Sequence, residues 1–234
     1  MSFRICSTVL LDASSNVAIQ SYGFKLKRVL GDIKSVLYYL DIYQVDEIHL
    51  IIPFKGEGSN PVSLYNSLKF IPLSSPLSIG GGIDLKSLEM ISRDPYFERI
   101  IFNSAFFDDH EVIRYAAKKM GHQAIVAYLP FTFEENQLAI YNSKIDAFCG
   151  VDDKFWDDVN NLSNEVILLD AYAEGTKQGF SFSVLDFIPL PINKFLISGG
   201  INESDIFHAK QMKLAGVSID NKTLHNEFSL KGLR

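Results

Sequence analysis

The chain has 234 residues, 47% of them hydrophobic, with a formal net charge of −6. That apolar content supplies one large core or two small ones. The 22 Lys and Arg are scattered, which argues against a nucleic-acid partner held through its phosphates. Cys6 and Cys149 form no CxxC, and the five histidines show no HxH or HExxH spacing, so no disulfide framework, metal or other cofactor is expected. The opening MSFRICSTVLL has no basic region ahead of a long apolar run, and no stretch reaches the roughly 18 apolar residues of a membrane span. The expectation is a cytoplasmic protein.

Short β-rich runs then alternate with segments of helical period. They are VLL at 9, EIHLII at 47, LSI at 77, RIIF at 99, AIVAYL at 124, EVILL at 165, FLIS at 195 and GVSI at 216. Eight strands alternating with helices predict an α/β fold, a closed (β/α)8 TIM barrel. His49 lies within an apolar strand and reads as a core histidine. Trp156, in VDDKFWDDV, reads as the anchor of an amphipathic helix whose acidic residues Asp152, Asp153, Asp157 and Asp158 face water.

One motif occurs twice: IGGGI at 79–83 and ISGGI at 197–201. At nearly the same offset EGSN (57–60) meets EGTK (174–177), and EIHLII meets EVILLD. A period of half the chain predicts two similar half-barrels of about 1–117 and 118–234 rather than a solenoid of short repeats. Glycine-rich turns at the carboxyl ends of barrel strands let backbone N–H groups approach a phosphate. Gly80, Gly81 and Gly82 follow the third strand, Asn103 and Ser104 the fourth, and Ser198, Gly199 and Gly200 the seventh. Asp220 and Asn221, after the eighth, make a poorer anion site. Two such sites on opposite sides of the mouth suit a substrate with a phosphate at each end. The loop 54–61, FKGEGSNP, is placed at the same mouth.

The stretches PLSIGGGID, RIIFNSAFF, EVILLDAYAEGTKQGF and FLISGGI resemble the cyclase subunit of imidazole glycerol phosphate synthase, in order and spacing, over nearly the whole chain. The resemblance implies a (β/α)8 barrel that takes ammonia from a glutaminase subunit and converts a bisphosphorylated ribulosyl-aminoimidazole carboxamide. It implies that Gly81, Gly82, Asn103 and Ser104 hold one phosphate, and that Gly175, Thr176, Gly199 and Gly200 help hold the other. It also implies an ammonia gate at the amino-terminal face, made of Arg4, Glu47, Arg99 and Glu165, with a glutaminase docked there.

The family's two catalytic aspartates, on strands one and five, are matched incompletely. Asp12 serves as the first in one alignment and is a solvated turn acid in the other; Leu129 falls at the second, and a leucine moves no proton. Ile52 stands where strand two usually ends in an aspartate, and Gln20 where the first loop usually carries a lysine. Glu174 replaces the aspartate of the sixth strand's DGT, leaving Asp12 and Glu174 as the candidate acid/base pair. Two other readings stay open. One is a relative that relays ammonia for amidination of a nucleotide-linked surface sugar, to which QVDEI and KRVLGD point. The other is a non-catalytic scaffold that binds a glutaminase.

Overall fold

The computed structural model describes residues 2–12, 17–23, 26–53, 62, 66, 68, 71–93 and 96–219. The loop 54–61 and the strand end at Asp220 and Asn221 lie outside the described residues.

Among the described residues, twelve strands form one sheet. Eight of them close a parallel barrel: β1 (Arg4–Asp12), β4 (Ile48–Ile51), β5 (Leu77–Gly80), β6 (Arg99–Phe102), β7 (Ile125–Glu134), β10 (Glu165–Asp170), β11 (Phe195–Ser198) and β12 (Gly216–Ile219). Each pairs in parallel with the next, and β12 returns to β1 through Arg4↔Gly216 to Ser7↔Ile219. All eight expected strands are present, and the chain is a (β/α)8 TIM barrel. Helices between the strands include α1 (Ile33–Ile42), α2 (Leu85–Ile91), the short α3 (Ala105–Asp108), α4 (His110–Met120), α5 (Asp153–Leu162) and α6 (Glu203–Gln211). In α5, Trp156 is buried and Asp152 caps the first turn by accepting from the Phe155 N–H. No helix among the described residues is long and apolar enough to cross a membrane.

The period-two pleat sorts the strand residues into two layers. Ile48, Leu50 and Ile52 face outward and join the large core under the helices, with Ile5, Val9, Leu77, Ile79, Leu129 and Val166. Cys6, Leu10, Ile51, Ile101, Val126, Tyr128, Ile167, Leu169 and Leu196 face inward and fill the barrel. Each such Leu or Ile gives roughly 1.5–3 kcal/mol on burial, so the barrel is closed by packing as well as by hydrogen bonds.

Two antiparallel hairpins were not expected from the sequence. The first, β2 (Val17–Tyr22) with β3 (Leu26–Asp32), continues from the end of β1, pairing Leu10↔Ile19 and Asp12↔Val17. The second, β8 (Gln137–Asn142) with β9 (Ala147–Gly150), extends β7.

Candidate functional site

The two glycine turns share one backbone geometry. Gly81 and Gly199 have φ of +98° and +92°, and Gly82 and Gly200 have +66° and +65°. A Cβ on Gly81 would meet the Ile52 carbonyl oxygen at 2.1 Å, and one on Gly199 the Asp170 carbonyl oxygen at 2.4 Å. Both turns therefore require glycine twice over, by conformation and by space. Each leads into a helix with the same cap: Asp84 accepts from the Ser87 N–H, Asn202 from the Asp205 N–H, and each forms a capping box.

The first turn opens onto a cavity of about 240 Å³ lined by Gly81, Gly82, Asn103, Ser104, Asp108 and Lys144, among others. The side chain of Asn103 is committed elsewhere. Its Nδ2 donates to the Tyr128 and Tyr141 carbonyls at 2.9 and 2.8 Å, and its Oδ1 accepts from the Ser143 N–H at 2.9 Å. It thereby clamps the β8–β9 hairpin to the barrel and brings Lys144, on the hairpin turn, into contact with Asp108.

At the second turn, Thr176 donates its hydroxyl to the Ala173 carbonyl at 2.6 Å and accepts from the Gln178 N–H. Gly175 lies against the β2–β3 hairpin, where a Cβ would meet the Ser21 carbonyl oxygen at 2.5 Å. The Gly23 N–H donates to the Glu174 carbonyl at 3.2 Å. The hairpin therefore lies over the loop after β10, sends Ile19 into the inner barrel cluster, and buries Gln20 and Ser21. Beneath it Glu174 is 2% exposed. Asp170, the last residue of β10, holds this loop open: its carboxylate accepts from the N–H groups of Tyr172, Ala173 and Ser181. Burial raises its pKa, against the lowering pull of those three bonds.

Asp12 ends β1, half-buried, on the pleat face that carries Cys6, Thr8 and Leu10. Leu129 is placed differently from the expectation. It is fully buried in the outer layer, so it does not occupy the mouth. The inward positions on β7 are Tyr128 and Pro130; Pro130 is in register with the inward Leu169. The position that would present a carboxylate to the mouth is thus Pro130. Anchoring the comparison on the strand's apolar run shifted it by one residue, and one residue reverses the face.

At the opposite end of the barrel four charged side chains meet. Arg4 donates to Glu47 at 2.8 Å and also to Glu165, while Arg99 pairs with Glu165 at 2.5 Å and lies 3.7 Å from Glu47. The result is a closed ring of alternating sign, with both carboxylates almost fully buried. Burial alone would raise the Glu47 pKa; His49, Arg99 and a hydrogen bond from Ser78 outweigh it and hold it at about 2. The ring seals the floor while leaving no charge unpaired.

Sequence comparisons agree with this architecture. The family model described as "Histidine biosynthesis protein" matches residues 9–229. Imidazole glycerol phosphate synthase subunit HisF of Saccharolobus solfataricus is 22% identical over 211 residues, 85% of this chain and 80% of that protein. The subunit HisF of Sulfurisphaera tokodaii is 24% identical over 159 residues, 66% of this chain and 63% of that protein. That of Campylobacter concisus is 27% identical over 140 residues, 56% of this chain and 53% of that protein. With a family match over almost its whole length and identities this low, the chain belongs to the histidine biosynthesis protein family as a divergent member similar to the cyclase subunit of imidazole glycerol phosphate synthase.

Proposed function

We propose that this barrel is an ammonia-using enzyme of the imidazole glycerol phosphate synthase cyclase type. It takes ammonia at its charged floor from a docked glutaminase and delivers it to a phosphate-bearing substrate at its mouth. The observation that carries the reading is the ring of Arg4, Glu47, Arg99 and Glu165. A structural plug needs no charge at all, since apolar side chains of similar volume often serve equally well or better. A paired ring can open and reclose.

At the mouth, the glycine turns would offer backbone N–H groups to two phosphates, at Gly81, Gly82 and Ser104 on one side and at Gly175, Thr176, Gly199 and Gly200 on the other. Asn103 would set the shape of the first subsite through the hairpin it holds. The repeated turn geometry also supports an origin in two similar half-barrels. Asp12 and Glu174 are the carboxylates assigned to proton transfer, and the reaction would take place in the cytoplasm.

A second reading is favoured by Pro130. With no carboxylate at the inward end of β7, ammonia transfer without cyclisation, as in amidination of a nucleotide-linked sugar, requires fewer of the missing groups. The test is steady-state turnover of the ribulosyl-aminoimidazole carboxamide substrate with ammonium salt at high enzyme concentration, beside Asp12→Asn and Glu174→Gln. Turnover abolished in either variant supports the cyclase. Turnover at background in the unmodified protein eliminates it in favour of relay.

A further inference from the structure

Behind the charge ring the barrel interior has two unlike sides. Toward the floor, the inward residues of β12, β1, β4 and β5 are polar and buried: Ser218, Cys6, Thr8, His49 and Ser78, with the inward Leu10 and Ile51 beyond them toward the mouth. Those of β6, β7, β10 and β11 are mostly apolar, Ile101, Val126, Tyr128, Ile167, Leu169 and Leu196, with Ser198 at the mouth end of β11.

His49 is at the centre of the polar side and has no solvent exposure. Its Nδ1 lies 3.0 Å from Ser218 Oγ, which lies 2.7 Å from Thr8 Oγ1. Its Nε2 has no hydrogen-bond partner among the described residues and faces Glu47 Oε1 at 3.6 Å. A ring nitrogen of His49, the Cys6 sulfur and a Glu47 oxygen fall within 4.8 Å of one another.

Three converging donors invite a metal ion, but their chemistry here does not favour one. The Glu47 carboxylate is already held by Arg4 and by the Ser78 hydroxyl, with Arg99 beside it. Burial, and then Glu47, push the Cys6 thiol well up, so it stays neutral. In the neutral tautomer whose Nδ1–H donates to Ser218 Oγ, Nε2 keeps a lone pair beside a carboxylate, which suits a small N–H donor.

The apolar side beyond sets a second condition. An ion stripped of water is not accommodated among Ile, Val and Leu side chains, whereas neutral ammonia is. Nitrogen that enters as ammonium must therefore lose a proton at this boundary. The charged and titratable groups facing it are Arg4 and Cys6 from β1, Glu47 beside β4, Arg99 from β6 and Glu165 from β10. The guanidiniums cannot accept a proton, the thiol already has one, and both carboxylates are held by arginines.

We propose that His49 is the proton acceptor that turns ammonium, admitted at the floor, into ammonia inside the barrel. The ligand's identity rests on the ammonia-using reading above. In the step, one N–H bond of ammonium breaks, its electron pair stays on nitrogen, and Nε2 gains the proton. The imidazolium is held between the Glu47 carboxylate and Ser218 Oγ, to which Nδ1–H donates. Ammonia moves on along the apolar side, and the imidazolium returns its proton to solvent through the floor. One ammonium outside becomes one ammonia inside and one proton outside.

The test is ¹⁵N NMR of protein labelled at its five histidines, with His49 assigned from His49→Gln or, if that variant misfolds, from the shift of its Nδ1 in Ser218→Ala. At a pH where the His49 ring is neutral in potassium chloride, ammonium chloride replaces it at constant ionic strength. The expected result is a saturable movement of both His49 nitrogens toward imidazolium values, absent with potassium and absent from the other four rings. No movement, or equal movement in potassium, overturns the proposal. Zinc taken up one to one and lost in His49→Gln overturns it in favour of a metal site. A positive titration with no cyclase turnover rejects the cyclase reading and keeps His49; turnover with no titration does the reverse.

Discussion

Arg4 and Glu165 lie 161 residues apart and pair across the floor of the barrel. Each guanidinium of the ring faces two carboxylates, and each carboxylate two guanidiniums, so the removal of one member strands two others. Arg4→Ala leaves both buried glutamates with a single cation. The expected loss is about 2–4 kcal/mol, below the full cost of breaking a buried pair because the Arg4 side chain is 19% exposed. Adding Glu165→Gln should cost less than the sum of the two single changes. Urea unfolding of the four proteins of this cycle measures both values; strict additivity would show that the two residues do not act as one ring.

The same ring sets an acid limit. The Glu47 pKa is depressed from its ordinary 4.5 to about 2. A depressed carboxylate contributes stability that is fully present above its unfolded value and is lost as pH falls toward its folded value. The window is therefore from about pH 4.5 down to about 2, and the contribution is on the order of 3 kcal/mol. Glu47→Gln should flatten the unfolding free energy over this window. A slope unchanged in the variant would mean that other carboxylates carry the acid sensitivity.

The barrel was legible in the sequence because eight short apolar runs, such as Ile48–Ile51, alternate with segments of helical period. The duplicated turns were legible because only glycine fits them. The hairpins were not. β2–β3 and β8–β9 carry polar and apolar residues without the continuous apolar run of a buried parallel strand. Nor was the role of Asn103 visible, since its three partners lie 25 to 40 residues away. The inward direction of His49 follows from the pleat once Glu47 is fixed on the inner face, but its open Nε2 depends on Ser218, which comes from the last strand.

The glycine turns give a graded prediction. Gly81→Ala and Gly199→Ala each place a methyl group against a backbone carbonyl and hold a non-glycine residue at positive φ, so each should cost about 2–4 kcal/mol. Gly150→Ala meets no atom within 4 Å and has no positive φ, so it should be within about 0.5 kcal/mol of neutral. Thermal unfolding compares all three. A tolerated Gly199→Ala would show that the loop after β10 can withdraw from this turn.

Asn103→Ala removes two donors and one acceptor that hold backbone groups of Tyr128, Tyr141 and Ser143. The expected cost is about 2–4 kcal/mol, most of it from backbone groups left without partners. Hydrogen exchange should quicken across β8 and β9 while β4 and β5 keep their protection, and inorganic phosphate should bind less well at the first turn. Uniform quickening over the barrel would mean that Asn103 stabilises the fold as a whole rather than positioning the hairpin.

Leu129 and Pro130 are adjacent in sequence but face opposite layers, and an aspartate at each separates alignment from geometry. Leu129→Asp buries a carboxylate among the apolar side chains under the helices. It should cost more than about 4 kcal/mol or abolish folding. Pro130→Asp places the carboxylate on the inner face beside Leu169, toward the mouth, and restores an N–H to the strand. It should remain folded and, if the mouth binds the cyclase substrate, raise turnover by roughly 10- to 100-fold over the unmodified protein, within the range of a single general acid or base. A folded Leu129→Asp with raised turnover would reverse this assignment and return the catalytic position to 129. Pro130→Asp that folds, binds phosphate and gains no turnover would count against cyclisation as the reaction of this barrel.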